Sequence, residues 1–149
     1  MRGVVQRVTR AAVTVGGRRV GEIGRGILLL VGISQGDTID DAKYILDKTL
    51  ELRIFNDHSG KMNLSVRDTG GSLLIVSQFT LWGDCRKGRR PSFSDAMDPQ
   101  AAERLYDELV RLARQGPVPV ATGEFQAMMG VELVNDGPVT LLLDSRKAF

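Results

Sequence analysis

The sequence is poor in the residues that build covalent cross-links, metal sites and membrane spans. It has one cysteine, Cys85, and one histidine, His58, among 149 residues. A single cysteine excludes an internal disulfide, which fits a reducing compartment. The longest apolar run, Ile27–Val31, is far too short to cross a bilayer. Because the N-terminus also lacks the apolar core of a signal peptide, we expect a cytoplasmic protein that is not bound to a membrane.

Common catalytic and cofactor-binding sets are missing as well. A nucleophile activated by histidine would have to use His58, which lies in the turn-like stretch Asn-Asp-His-Ser-Gly. Cys85 lies in a basic loop, where a bystander thiol is the simpler interpretation. Asp40 and Asp41 come early in a predicted helix, so the helix dipole explains them better than a metal does. No phosphate-binding glycine loop or zinc-type cluster occurs, and we expect neither cofactor nor metal.

The composition is that of an ordinary globular domain, but the charge is unevenly distributed. Apolar residues make up 42% and charged residues 26%, with a net charge of +2. A chain of this length buries roughly 68–70% of its unfolded surface, which is enough for one domain without staples. Four cations cluster in a polar stretch, namely Arg86, Lys87, Arg89 and Arg90. Such a cluster attracts phosphate, although solvated loops explain the charge alone equally well.

Residue patterns predict strands in both halves of the chain. Gly16-Gly17 between two β-rich stretches predicts a hairpin, and continuous apolar runs predict buried strands over Gly26–Ile33 and Ser72–Val76. Alternation from Phe125 to Leu133 predicts another strand. The stretch Asn135–Pro138 then predicts a turn before a last strand that ends at Leu143.

Two segments have the pattern of amphipathic helices. Asp37 or Thr38 can cap the first, which runs to about Arg53. Asp98 caps the second, Pro99 occupies its first position, and Gly116-Pro117 ends it. Its predicted buried stripe is Ala102, Leu105, Tyr106, Leu109 and Leu112. The stretch Trp82–Asp95 is polar and without periodicity, which predicts a surface loop. Together these elements predict a single α+β domain over residues 1–149.

Two polar segments could carry function. Ser77-Gln78-Phe79-Thr80 follows a buried strand and places three hydrogen-bonding side chains beside a ring that could stack on a base. A strand end that satisfies its own polar groups would explain it too. Asn135–Thr140 is, as bare chemistry, a turn between strands.

Taken together, these segments resemble the two motifs of the D-aminoacyl-tRNA deacylase family. The motifs are SQFTL at 77–81 and NDGPVT at 135–140. Other family-like segments occur in the same order: VVQRVTRAAVTV at 4–15, RIFND at 53–57, GKMNLSV at 60–66, GGSLLIVSQFTL at 70–81 and RRPSF at 89–93. The resemblance covers nearly the whole chain, and both motifs in this order make it highly specific.

The resemblance implies a homodimer that hydrolyses the ester of D-aminoacyl-tRNA. It implies mixed, largely antiparallel sheets forming a barrel-like sandwich, with two main helices packed on one side. The terminal adenosine of tRNA would enter a pocket beside Ser77–Thr80. Gly137-Pro138 of the partner subunit, joined by a cis peptide bond, would reach into that pocket and check the chirality of the amino acid. Such a filter would also admit glycyl-tRNA. Phe79 and Met129 would be further substrate contacts.

The mechanism that this implies leaves alternatives open. Backbone N–H groups of Phe79 and Thr80 are candidates for stabilising the oxyanion, with Ser77 and Gln78 as neighbouring catalytic candidates. Thr80 could be a nucleophile, but the sequence offers no convincing base, so a ribose 2′-OH that orients or activates water is favoured. The basic cluster would bind tRNA phosphates. A non-catalytic RNA-binding module and an ordinary serine or threonine esterase are the rival interpretations.

Overall fold

The first strand organises the main sheet because it is long enough to pair with three others. In the computed structural model, which describes residues 1–149, β1 spans Arg2–Val15. Its first half pairs antiparallel with β3 (Gly26–Gly32) and its second half with β2 (Arg18–Ile23). Along its opposite edge it pairs antiparallel with β8 (Gly130–Asp144). The predicted hairpin between β1 and β2 is confirmed, with Gly16 and Gly17 at positive φ.

The sheet continues beyond β3 with parallel strands. β6 (Ser72–Ser77) pairs parallel to β3, and β7 (Val120–Thr122) pairs parallel to β6. The remaining strands, β4 (Phe55–Asn56) and β5 (Met62–Leu64), form a small separate hairpin. The strand order of the main sheet is β2-β1-β3-β6-β7, with β8 added on the free side of β1.

The main sheet curls until its two ends nearly meet. A Cβ atom on Gly21 in β2 would collide with the carbonyl oxygen of Thr122 in β7, so only glycine allows the two backbones to approach this closely. The mixed, largely antiparallel and barrel-like architecture is therefore confirmed. A cluster of seven buried side chains fills the inside of the curl: Val8, Ala11, Val13, Ile23, Leu28, Leu74 and Val76.

Both helices begin where the sequence predicts them. α1 (Ile39–Glu51) begins after Thr38, whose hydroxyl accepts from the N–H of Asp40, while the Asp41 carboxylate accepts from the N–H of Thr38. It ends two residues before the predicted Arg53. α2 (Pro99–Arg114) begins after Asp98, whose carboxylate accepts from two N–H groups of the first turn. Neither helix has the length and apolar character needed to span a membrane.

The two helices pack on the same side of the sheet, as expected, over the larger hydrophobic core. That core includes Ile45, Leu109, Ile27 and Leu73, all fully buried. The buried face of α2 is rotated slightly from the prediction, because Val110 and Ala113 are buried while Leu105 and Leu112 are only partly covered. Its Tyr106 hydroxyl donates to the carbonyl of Ile75 at 2.9 Å, and burial raises the pKa of this phenol.

The prediction of a chain reversal at Asn135–Pro138 is wrong. β8 continues in one direction through this stretch, and the segment is a bulge opposite β1. Thr140 pairs with Gln6 and Asn135 pairs with Val8, so five residues of β8, from 135 to 139, occupy the space opposite two of β1. The same residue types form turns and bulges, because a bulge also needs local changes in backbone direction.

Two other boundaries differ from the prediction. The alternating segment from Phe125 does not begin a strand, because the chain makes turns until Met129 and β8 begins only at Gly130. Trp82 is not in an exposed loop. It ends a short 3-10 helix over Phe79–Trp82 and is buried, with its indole N–H donating to the carbonyl of Gly32 at 3.0 Å.

Candidate active site

The first motif lies where β6 leaves the sheet and the chain tightens into the 3-10 helix. Ser77 ends the strand, and the N–H of Gln78 donates to the carbonyl of Val31 at 2.7 Å. The Gln78 side-chain amide donates to the Thr80 hydroxyl. Phe79 and Thr80 are exposed at the start of this helix, where backbone N–H groups have no partner within the helix itself. The motif thus presents N–H groups and a hydroxyl to solvent from a rigid strand end.

No histidine or carboxylate is bonded to the Thr80 hydroxyl, whose hydrogen-bond partner is Gln78. His58 is exposed at the turn between β4 and β5, which belongs to the separate hairpin. Asp41 serves the cap of α1, as expected. Burial would raise the pKa of Asp41, but hydrogen bonds from Ser145 and Thr38 outweigh this and lower it. None of these groups is placed as a base for Thr80.

An aromatic pair covers one side of the motif. The rings of Phe79 and Phe93 meet edge to face, with centroids 5.1 Å apart and planes at 66°. Phe79 is 55% exposed. The Phe93 ring stands over Gly83, because a Cβ atom there would lie 3.0 Å from the ring. Phe93 belongs to the RRPSF segment, and nothing in the sequence alone indicates a role for it.

The basic cluster forms an exposed loop beside this pair. Two backbone hydrogen bonds between Asp84 and Ser92, of 2.7 and 3.0 Å, close the loop. Arg86 binds the Asp84 carboxylate through two nitrogens, at 2.9 and 2.7 Å, and this hydrogen bonding holds the pKa of Asp84 well below its usual range. Lys87, Arg89 and Arg90 remain exposed and form no ion pair within the chain. The four predicted phosphate-binding residues therefore divide into Arg86, which is paired with Asp84, and three free cations.

The second motif is held rigidly in the bulge of β8. The peptide bond between Gly137 and Pro138 is cis, as expected from the resemblance. The side chain of Asn135 spans the bulge. Its oxygen, Oδ1, accepts from the N–H of Val139 at 2.7 Å, and its nitrogen, Nδ2, donates to the Thr140 hydroxyl at 2.9 Å.

A buried arginine, Arg7, stabilises the bulge through hydrogen bonds to backbone carbonyls. The Arg7 guanidinium donates to the carbonyl of Asp136 at 2.8 Å and to the carbonyl of Ile54 at 2.6 Å. Its side chain is 8% exposed. The sequence alone did not predict a role for Arg7. The available signal was its position two residues after Val5, which places it on the face of β1 that meets the larger core.

Within one subunit the two motifs lie apart. Val31 of β3 pairs with Ser77 on one side and with Gly3 of β1 on the other, so Ser77 and Gly3 lie at the same position along the strands. The bulge, in contrast, lies opposite Arg7 of β1. Gly3 and Arg7 differ by four residues, which is about 13 Å along the strands at about 3.3 Å per residue. The strands β1 and β3 also stand between β8 and β6. Met129 lies near the end of β6, because its sulfur and the side chain of Val76, the residue before Ser77, both lie beside Gly123.

A surface hollow of about 460 Å³ adjoins the first motif. Its wall begins at Trp82 and Gly83, and the N–H of Gly83 donates to the carbonyl of Thr80 at 2.9 Å. The Arg2 guanidinium lies 4.0 Å from the centre of the Trp82 ring and donates to the carbonyl of Leu81 at 3.0 Å. The remaining wall comes from the basic loop and the segment after it: Asp84, Cys85, Arg86 and Asp95.

Comparison with known proteins decides the family. A family model described as D-Tyr-tRNA(Tyr) deacylase matches residues 4–144. The chain belongs to this family. Proteins named D-aminoacyl-tRNA deacylase from Syntrophobacter fumaroxidans and Fervidobacterium nodosum are 59% and 58% identical to it over the full length of both chains. The expectation that it belongs to the D-aminoacyl-tRNA deacylases is therefore confirmed.

Solved structures support the fold of this deacylase family member. The structure titled "c-Myc DNA Unwinding Element Binding Protein" is 46% identical, with a TM-score of 0.91 and coverage of 97% of this chain and 98% of that chain. A probable eukaryotic D-amino acid tRNA deacylase is 21% identical, with a TM-score of 0.78 and coverage of 95% and 97%. This second similarity concerns the fold alone.

Proposed function

We propose that this protein hydrolyses the ester bond of D-aminoacyl-tRNA and releases the free D-amino acid and tRNA. The observation that carries the proposal is the full-length similarity to proteins named D-aminoacyl-tRNA deacylase. The presence of both motifs, SQFTL at 77–81 and NDGPVT at 135–140, agrees with it. The substrate implies that the activity belongs in the cytoplasm, where tRNA is charged.

The active site is formed by two subunits of a homodimer. Separation of the two motifs within one subunit supports this, because a site that uses both needs Gly137-Pro138 from a second copy. The outer edge of β8 is free of any partner strand, and Val134 and Leu142 are exposed there. An exposed edge strand with apolar side chains is a surface that proteins usually cover.

Chirality is selected by exclusion. The backbone around Gly137-Pro138 occupies the place of an L side chain. A hydrogen bond donated by Arg7 and one accepted by the Asn135 side chain from the N–H of Val139 keep this backbone from moving aside. A rigid obstacle discriminates without offering a D side chain much binding energy. Glycine has no side chain to exclude, so glycyl-tRNA is a substrate as well.

Ester cleavage uses the backbone more than side chains. Carbonyl attack creates an oxyanion, which the N–H groups of Phe79 and Thr80 stabilise, with Ser77 and Gln78 fixing the backbone that carries them. The ribose 2′-OH of the terminal adenosine orients or activates the attacking water. The absence of a base bonded to Thr80 supports this RNA-assisted route over a threonine nucleophile.

The basic loop holds the tRNA body outside the pocket. Its free cations, Lys87, Arg89 and Arg90, bind phosphates near the acceptor end, while Arg86 is held by the Asp84 carboxylate. Phe79 and Met129 contact the substrate inside the pocket.

One assay tests the function against both rivals. The protein is incubated with D-tyrosyl-tRNA, L-tyrosyl-tRNA and a simple small ester, and release of the acid is followed. The proposal predicts rapid release from D-tyrosyl-tRNA only. An RNA-binding module would release nothing, and an ordinary esterase would cleave the small ester.

A further inference from the structure

The hollow beside the first motif is lined by charged side chains that have no part in the proposed hydrolysis of the ester. Its volume of about 460 Å³ falls within the usual range of about 300–1,000 Å³ for small-molecule sites. It lies next to the motif, because Gly83 in its wall is hydrogen-bonded to Thr80. It also extends to the start of the basic loop at Arg86. The hollow therefore borders both the end of the first motif and the start of the basic loop.

Most charges around the hollow are already paired. Arg86 is bonded to Asp84, and Arg2 is bonded to Asp144 and to the carbonyl of Leu81. The exception is Asp95, whose exposed carboxylate has no hydrogen bond or ion pair within the chain, although the backbone beside it is fixed by a 3.0 Å bond from Gln35 to its carbonyl. A free carboxylate repels phosphate, so this hollow is unsuited to the RNA backbone.

A carboxylate is suited to an amino group on a base. Bases in single strands are recognised through their exposed edges, and aspartate accepts from the N4 amino group of cytosine. Arginine N–H groups suit the neighbouring acceptor atoms of the same base, and Arg2 on this wall has one terminal nitrogen, Nη2, that forms no hydrogen bond within the chain. Uracil carries a carbonyl oxygen in place of the amino group and would face the Asp95 carboxylate unfavourably.

We propose that this hollow binds the cytidine that precedes the terminal adenosine of tRNA, with Asp95 accepting from its amino group. The inference rests on the proposed deacylase function. All mature tRNAs end in the same CCA sequence, so the contact selects no particular tRNA. It fixes the direction in which the strand leaves the pocket, from the ester at Thr80, across the hollow, towards the phosphate-binding cations.

Short substrates test the inference apart from the function. Hydrolysis rates are measured for D-tyrosyl-adenosine and for D-tyrosyl dinucleotides in which cytidine or uridine precedes the adenosine. The wild-type protein should favour the cytidine form over the uridine form by about tenfold in kcat/KM, which corresponds to about 1.4 kcal/mol. Asp95→Asn should bring this ratio close to one and leave D-tyrosyl-adenosine hydrolysis unchanged.

A control variant removes the general effect of charge. Glu103→Gln removes one exposed carboxylate from α2, outside the wall of the hollow, and should leave the cytidine-to-uridine ratio at its wild-type value. Loss of a negative charge alone would raise the rates of both dinucleotides together, so the ratio reports base recognition. Equal wild-type rates for the two dinucleotides, or an unchanged ratio in Asp95→Asn, would overturn the subsite. Failure to cleave any D-tyrosyl ester, full-length D-tyrosyl-tRNA included, would instead overturn the proposed function.

Discussion

Replacing Arg7 by alanine should weaken both the fold and the selection of chirality. The substitution removes two hydrogen bonds, of 2.8 and 2.6 Å, from a charged donor to the carbonyls of Asp136 and Ile54. Hydrogen bonds to charged groups contribute about 1.5–3 kcal/mol each. Because the bulge is partly exposed, water replaces some of this loss, and we expect the free energy of unfolding to fall by about 3 kcal/mol. A domain with about 5–15 kcal/mol of stability remains folded.

Loss of the same support should free the backbone around Gly137. A thousandfold preference for D substrates needs only about 4 kcal/mol. A small displacement of the backbone around Gly137 is therefore sufficient to reduce this preference. We expect Arg7→Ala to lower the ratio of D-tyrosyl-tRNA to L-tyrosyl-tRNA hydrolysis by at least about tenfold, about 1.4 kcal/mol. Arg7→Lys should recover little of this ratio, because one ammonium group does not reproduce the fork of a guanidinium.

Urea denaturation and the two deacylation rates measure these effects, with Arg10→Ala as the matched control. Arg10 lies on the same strand, but its partner Glu132 and its own side chain are both more than half exposed. Exposed ion pairs contribute little, so this control should change neither stability nor the D-to-L ratio appreciably. If Arg7→Ala behaves like Arg10→Ala in both measurements, the bulge is rigid without Arg7 and our reasoning about its support fails.

Three further predictions concern the tRNA, the chemistry and the assembly. Neutralising the four loop cations should weaken tRNA binding and flatten its salt dependence by roughly 0.9 in slope for each lost phosphate contact; a variant that keeps Arg86 leaves its ion pair with Asp84 intact and tests the three free cations alone, and an unchanged slope would place docking elsewhere. Thr80→Ala should retain substantial activity while a terminal 2′-deoxyadenosine is far more harmful; the opposite pattern would make Thr80 the nucleophile. Sedimentation at micromolar protein concentration should show a dimer, and a fully active monomer would contradict a site shared between subunits.

Local chemistry made the helices and the first hairpin predictable from sequence. Thr38 and Asp98 accept from N–H groups within one turn of themselves, and Pro99 fixes the backbone at the first helical position, so their roles do not depend on the rest of the fold. Gly16-Gly17 likewise acts within the turn that it forms. The site motifs were found through resemblance, since strand-end and turn interpretations explained the same residues equally well as isolated chemistry.

What the sequence did not reveal depends on contacts between distant residues. Asn135–Pro138 has the composition of a turn, and only its pairing with β1 shows that the strand continues through a bulge. Arg7 gains its role from carbonyls 47 and 129 residues away. Trp82 is buried because Arg2 and Gly32 contact it, and neither contact is visible in the polar stretch that follows it. A pattern along the chain does not contain such pairings.

Selection by exclusion is the central claim, and one deacylation series tests it directly. Glycine, D-alanine and L-alanine are attached to the same tRNA and compared at equal enzyme concentration, because the three substrates then differ only in whether and where a single methyl group is attached. If backbone atoms around Gly137-Pro138 simply occupy the place of an L side chain, the enzyme should cleave glycyl-tRNA along with D-alanyl-tRNA and leave L-alanyl-tRNA intact. Glycyl-tRNA as resistant as L-alanyl-tRNA would mean that the pocket recognises the D side chain positively, which contradicts the account.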